Sequence, residues 1–287
     1  MSELNCDTSA MSRMALCKKM SMLMSIGYDL SKQDWTGFHV SKVDLRNIDL
    51  SNAKMKRVVI TDSTLDSAKF DYADLEGSTL AYTDINKGSF IGTSLKKCDL
   101  DGMDLIQANC CEADFSFSTM QFIEFQDAML SNANLSHAVL CLANFTRAQC
   151  GGAILDYANI SSINITDANF CSASLKKVVF FNNRGLNTAN FEKADLSGAG
   201  MWGQTLTGIK LAGANLSGAI LVNTSFKGMQ SKDLKGVNFT QANLMGCDFS
   251  GLDLIDVDLT GADITGTNFE GTTMCEKTLK TWSGLIG

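Results

Sequence analysis

The chain has 287 residues, 45% of them hydrophobic, and a formal net charge of −7. That apolar fraction suffices for a continuous core, and the acidic balance disfavours non-specific nucleic-acid binding. No stretch approaches the roughly 18 consecutive apolar residues of a membrane helix. The opening Met-Ser-Glu-Leu-Asn-Cys-Asp is acidic, and Lys18 and Lys19 interrupt the apolar positions after it, the reverse of a secretory signal. Over residues 8–27 the spacing of Met11, Met14, Ala15, Leu16 and Met20 predicts a helix, with Thr8 or Ser9 as N-cap. It is expected to cap the N-terminal mouth of the body that begins near residue 28.

From about residue 28 to residue 281 a single pattern takes over. Every fifth residue is large and apolar, as at Leu45, Leu50, Met55, Ile60, Leu65 and Phe70. This period matches neither the helix nor the simple strand, so it belongs to a repeated supersecondary unit, and a fixed period points to a solenoid. Two residues before each centre lies a small residue, most often Ala, with Asp or Asn between them, as in Ala73-Asp74-Leu75, Ala133-Asn134-Leu135 and Ala214-Asn215-Leu216. The unit reads Ala-(Asp/Asn)-Leu-x-x. The step lengthens between Phe180 and Leu186 and again between Phe226 and Leu234, so one extra residue is expected near 182–185 and a short bulge near 229–232. The final residues, 282–287, are expected to close the last coil or to pair two molecules.

This unit resembles the pentapeptide-repeat family, and the resemblance covers roughly residues 28–281. It implies an all-β fold, a right-handed quadrilateral parallel β-helix with four pentads per coil and a short N-terminal helical cap. Centre and small residues would point inward and the other three outward. At about 4.8 Å per coil, some twelve coils make a rod of roughly 60 Å. The absence of proline agrees with a stack in which each N–H is needed.

The ten cysteines show no spaced zinc pattern; Cys110 and Cys150 stand at centres, Cys98 and Cys247 at small positions, as small hydrophobes in a reducing, cytoplasmic setting. The two histidines, His39 and His137, lie about five coils apart, too far to share a metal. Ser and Thr are too abundant for any one to stand out as a nucleophile, and paired carboxylates such as Asp74 with Glu76 fall on a convex wall. No catalytic residue, cofactor or metal is therefore expected. Lys56, Glu76 and Lys96, and likewise Asp156 and Lys176, are expected to pair between coils.

Two outer surfaces suit a partner. One is an acidic end formed by Asp248, Asp253, Asp256, Asp258, Asp263 and Glu270, with no Lys or Arg from Val237 to Glu276. A plainer explanation is that Asp merely fills the position before the centre. The other is apolar: Phe122 and Leu142 share one outward column, and Phe117, His137 and Tyr157 share the next, beside Cys141. The leading expectation is a non-enzymatic protein-interaction scaffold of the kind that includes bacterial effector-type members of the family. The alternative that the resemblance offers is a DNA-mimicking protector of DNA gyrase, as in quinolone resistance. The expected partner is a protein rather than nucleic acid or membrane, with a homodimer through a terminal cap as a further arrangement.

Overall fold

A computed structural model of the chain describes residues 29–274. The helix expected over 8–27 and the closing segment 282–287 lie outside the described residues. Within them, the chain climbs as a parallel β-helix. Bridging residues pair twenty positions apart, as Asp74 does with Ser94 and Ser94 with Asp114. Four such columns run along the body. Most rungs are single bridges; β1 (His39–Ser41) and β2 (Val59–Thr61) pair over three residues in parallel register.

One pentad shows why the unit has its sequence. In Ala113-Asp114-Phe115-Ser116-Phe117 all five N–H groups are satisfied. Asp114 N donates back one coil to Thr93 O (2.9 Å), while Phe115 N and Phe117 N donate forward to Asn134 O (2.7 Å) and Ser136 O (3.0 Å). Ala113 N closes the preceding turn onto Cys110 O (3.2 Å). The remaining donor, Ser116 N, finds the Asp114 carboxylate at 3.0 Å. Proline at any of the five places would delete a bond, and the Asp/Asn preference before the centre is an Asx-turn requirement.

Each side ends in a turn closed from the centre's carbonyl to the small residue's N–H, such as Ala108 N to Leu105 O at 3.0 Å. The third turn residue has positive φ (Gln107, 59°), which makes these type II turns. From Gly198 onward that position is mostly glycine, with Asn223, Gln241 and Asp256 as exceptions; before it, bulky residues occupy it repeatedly.

Centres and small residues form one unbroken core from Leu30 to Ala262. Phenylalanines on successive coils stack within it, Phe70 on Phe90 at 5.0 Å and Phe226 on Phe249 at 4.3 Å between ring centroids. Each fully buried centre contributes about 1.5–3 kcal/mol. Cys98, Cys110, Cys150 and Cys247 are buried there as free thiols. Burial pushes the Cys98 thiol up to about 12 and that of Cys247 up to about 11, and it also raises those of Cys110 and Cys150.

Both irregular steps fall where expected. The bridge Asn164–Arg184 spans twenty residues and the next, Asn169–Asn190, twenty-one. Gly185 absorbs the change at φ 78°, with Thr166 backbone directly against it. The second step is one helical turn, α1 (Ser231–Leu234), which buries Leu234 and lengthens the register to the bridge Asn215–Asn238.

Candidate functional site

Three bridging columns are polar apart from Ile154 and Met129 and knit themselves together. Asn134 Nδ2 donates to Asp114 (3.3 Å), Asn144 Nδ2 to Glu124 (2.7 Å) and Asn169 Nδ2 to Gln149 (3.3 Å), one bond in each column. The fourth column has one such bond, from Thr119 Oγ1 to Asp99 (3.3 Å), and then alternates polar with apolar residues. It runs Thr79, Asp99, Thr119, Val139, Asn159, Val179, Gly200, Ile220, Asn243, Asp263. Val139, Val179 and Ile220 have no oxygen with which to cap the N–H two residues on.

This wall also displays many of the large exposed apolar side chains, although Tyr72, Met129, Ile154 and Ile255 are exposed on other sides. Along its far corner come Phe122, Leu142, Phe181, Trp202 and Met245, each at least 40% exposed. Along its near corner Phe117, His137 and Tyr157 form a stack on three successive coils, with ring centroids 4.7 and 5.1 Å apart and planes within 5°. Lys177 Nζ extends the stack, 5.8 Å from the Tyr157 centroid. The structure thus places the sequence-singled residues Phe117, Phe122, Leu142 and Tyr157 on one wall. Sequence reasoning missed Val179, Phe181, Trp202, Ile220 and Met245 as part of it; Val179 and Phe181 still lie on the twenty-residue count from Val139 and Cys141, whereas the one-residue and three-residue shifts hide the alignment of Trp202, Ile220 and Met245.

All five rings and chains at the left-handed position here (Phe117, Phe122, His137, Leu142 and Tyr157) hold φ between 58° and 63°. Non-glycine residues in this region carry about 1–2 kcal/mol of steric cost each.

The acidic end looks different in detail. Asp248, Asp253, Asp258 and Asp263 each accept the N–H two residues on, at 3.0, 3.1, 2.9 and 3.0 Å. Hydrogen bonds from Ser250 and from Thr265 hold the Asp248 and Asp263 carboxyls below their ordinary range. Asp256 and Glu270 are exposed and lie outside this Asx pattern. A shallow notch of about 220 Å³ lies beside Asp253 and Asp256, lined also by Lys232 and Lys235 of the α1 turn.

The inter-coil ion pairs correct the sequence reading. Lys56 Nζ does meet Glu76 at 2.8 Å, and also Asp74 at 3.3 Å; its hydrogen bonds to Glu76 first, then to Asp74, raise its pKa. Lys96 instead turns to Asp114 (3.0 Å) and Lys176 to Asp195 (3.4 Å). The Asp156 carboxylate is already taken by Ser174 Oγ (2.6 Å) and Lys176 N (3.0 Å), which leaves the lysine to the bridging acid of the next coil. Buried hydroxyls are likewise engaged in the wall: Ser118 Oγ donates to Leu95 O (2.6 Å) and Thr93 Oγ1 to Phe70 O (2.7 Å). Among the described residues no cluster of three potential metal ligands forms, and no helix is long and apolar enough to cross a membrane.

The family model described as pentapeptide repeats matches in eight copies, over residues 44–81, 60–96, 93–128, 123–161, 203–230 and 233–271. Those segments make up more than half of the sequence. The chain belongs to the pentapeptide-repeat family. No curated protein matches it. Among solved structures it is similar to HetL, a pentapeptide repeat protein involved in heterocyst differentiation regulation from the cyanobacterium Nostoc. That match has 21% identity over 90% of this chain and 96% of HetL, with a TM-score of 0.52. It is also similar to QnrB1, a plasmid-mediated fluoroquinolone resistance protein, at 18% identity over 87% of this chain and 99% of that one, with a TM-score of 0.26. Family membership and the HetL likeness carry the right-handed parallel β-helix.

Proposed function

We propose that this protein is a non-enzymatic interaction scaffold, a rigid rod that binds a protein partner through its apolar wall. One observation carries the reading: Phe117, His137 and Tyr157 stand stacked in solvent at left-handed φ, where glycine would serve the fold better. Phe122 and Leu142 continue that surface. The four bridging columns support a four-sided coil, whose flat walls suit such docking. A cytoplasmic setting fits the buried free thiols, and effector-type relatives fit the absence of catalytic chemistry in the reading. The helical cap over 8–27 and pairing through a terminal cap remain part of the same proposal.

The gyrase-protecting alternative draws on the acidic coils after Val237. Against it, the acids do not run on as a stripe: the column Asp84, Asp104, Glu124 gives way to Asn144, Asn164 and Arg184. The test is affinity capture with the full chain, with a Phe122→Asp/Tyr157→Asp variant and with Asn in place of Asp253, Asp256, Asp258 and Asp263. Partners held by the parent and by the Asn variant but lost from the double Asp variant are expected. Capture that survives Phe122→Asp/Tyr157→Asp unchanged sinks the apolar reading. Inhibition or protection of gyrase supercoiling at micromolar protein would reinstate the alternative.

A further inference from the structure

The apolar wall extends well past the stacked rings, and its shape and charge restrict what can lie on it. Its central column and far corner, from Gln121 to Gly246, contain no Asp, Glu, Lys or Arg. Phe122, Leu142, Phe181, Trp202 and Met245 stand there with Val179 and Ile220 exposed beside them, and one uncharged polar coil (Asn159, Ser161, Ser162) interrupts them. Six coil steps of about 4.8 Å make the strip about 30 Å long, and three residues at about 3.3 Å make it about 10 Å wide.

The backbone of this wall is closed to a visiting strand. Thr119 N donates to Cys98 O (3.0 Å), Met120 N to Val139 O (2.7 Å) and Val139 N to Ser118 O (3.0 Å). The turn N–H groups left uncapped after Val139, Val179 and Ile220 stand singly rather than as a strand edge, so a partner receives no continuous main-chain pairing and must bring a backbone satisfied within itself. An α-helix does so, its diameter of about 10–12 Å fits the width, and about 20 residues span the length.

Charge narrows the choice further. The strip ends at Asp99 and Asp101 on one side and at Asp263 on the other. Lys97, near the first end, leans 4.0 Å from Glu76. Two copies laid face to face, parallel or antiparallel, would bring acids against acids at both ends. A helix with basic ends would meet complementary charge instead.

We propose that this strip docks one amphipathic helix of a partner protein, about 20 residues long, apolar along one stripe and basic at both ends. This rests on the scaffold reading above and names the partner's chemistry.

The experiment is a selection from a displayed library of random 24-residue peptides on the full chain. A Phe181→Ser/Trp202→Ser variant, whose thermal midpoint is checked against the parent, serves as counter-target. Both positions precede the left-handed residue, so neither change disturbs a special φ. The expected winners carry apolar residues at i, i+3, i+4 and i+7 with Lys or Arg at both ends, gain helical circular dichroism on binding, and bind the variant at least tenfold more weakly. Winners that alternate with period two, or lack periodicity, but still depend on Phe181 and Trp202 overturn the helix and leave the scaffold standing. A concentration-dependent dimer in sedimentation that the variant dissolves assigns the wall to a second copy, with the same consequence. Winners indifferent to the variant, or none at all, overturn both.

Discussion

Leu142 offers a test in which the usual order of two substitutions should reverse. In an ordinary strand Ala is more stable than Gly by about 0.5–1 kcal/mol, because glycine loses more backbone freedom on folding. Leu142 sits at φ 63° with its side chain half exposed. Leu142→Ala removes the side-chain contacts but keeps the Cβ crowding of the left-handed region, about 1–2 kcal/mol. Leu142→Gly removes the same contacts together with the crowding, and returns about 0.4–1 kcal/mol through greater freedom of the unfolded chain. The glycine variant should therefore be the more stable of the two by about 0.5–1 kcal/mol. In a chain of this size that is a difference of about 1–2 °C in thermal midpoint. The assay is thermal unfolding of both variants beside Ile154→Ala and Ile154→Gly. Ile154 is an exposed bridging residue paired with Asn134 and Ser174, outside the left-handed set. There Ala should win. Ala at or above Gly at position 142, or the same order at both sites, refutes the strain that underlies the functional reading.

Val139→Asn should raise stability by about 1 kcal/mol while weakening partner binding, because the new amide oxygen can cap Cys141 N as Asn144 caps Thr146 N at 3.0 Å; a lowered unfolding midpoint, or undiminished binding, counts against it. Asp104 stands in register between Asp84 and Glu124, and burial first, then those two carboxylates and Asp66, raise its pKa. A carboxyl raised in the folded state favours folding when protonated, so stability falls as pH rises from its unfolded-state value through its folded-state value. Asp104→Asn should therefore stabilise by about 0.5 kcal/mol at pH 7. The gain should vanish as the solution is acidified below the raised pKa. Unfolding midpoints of both proteins between pH 7 and pH 4 check this, and a difference that stays constant or grows on acidification refutes it.

The core was legible because it is written once per pentad. Leu75, Leu135 and Leu216 are all buried as the five-residue beat requires, and Cys98 and Cys247 replace Ala without disturbing it. The two register shifts were legible as well, since a solenoid cannot hide an insertion. What the beat does not contain is direction on the surface. Lys96 and Glu76 share a column, yet side-chain reach and prior hydrogen bonds decide that Lys96 meets Asp114. The role of Asp before each centre was equally opaque, because its partner is a backbone N–H two residues on rather than another side chain. For the wall, a twenty-residue count aligns Phe122 with Leu142 but fails beyond Phe180, where the shift to twenty-one is needed to place Trp202 beside Phe181.

Three features meet on that wall, of which left-handed φ at non-glycine residues also occurs at the other corners, as at Asp127, Asn132 and Arg147. Val139, Val179 and Ile220 forgo the Asx cap that Asp and Asn supply on the other columns. Phe117, Phe122, His137, Leu142 and Tyr157 hold left-handed φ in a protein whose later coils put glycine at that position. The large side chains so displayed leave apolar surface in water, where each contributes little to folding. Exposed apolar residues scattered singly need no explanation. Here they share one face with left-handed φ and three missing caps, while the three remaining bridging columns are polar apart from Met129 and Ile154. An external partner that buries the wall is the term that offsets all three costs at once, and the reversal expected at Leu142 measures one of them directly.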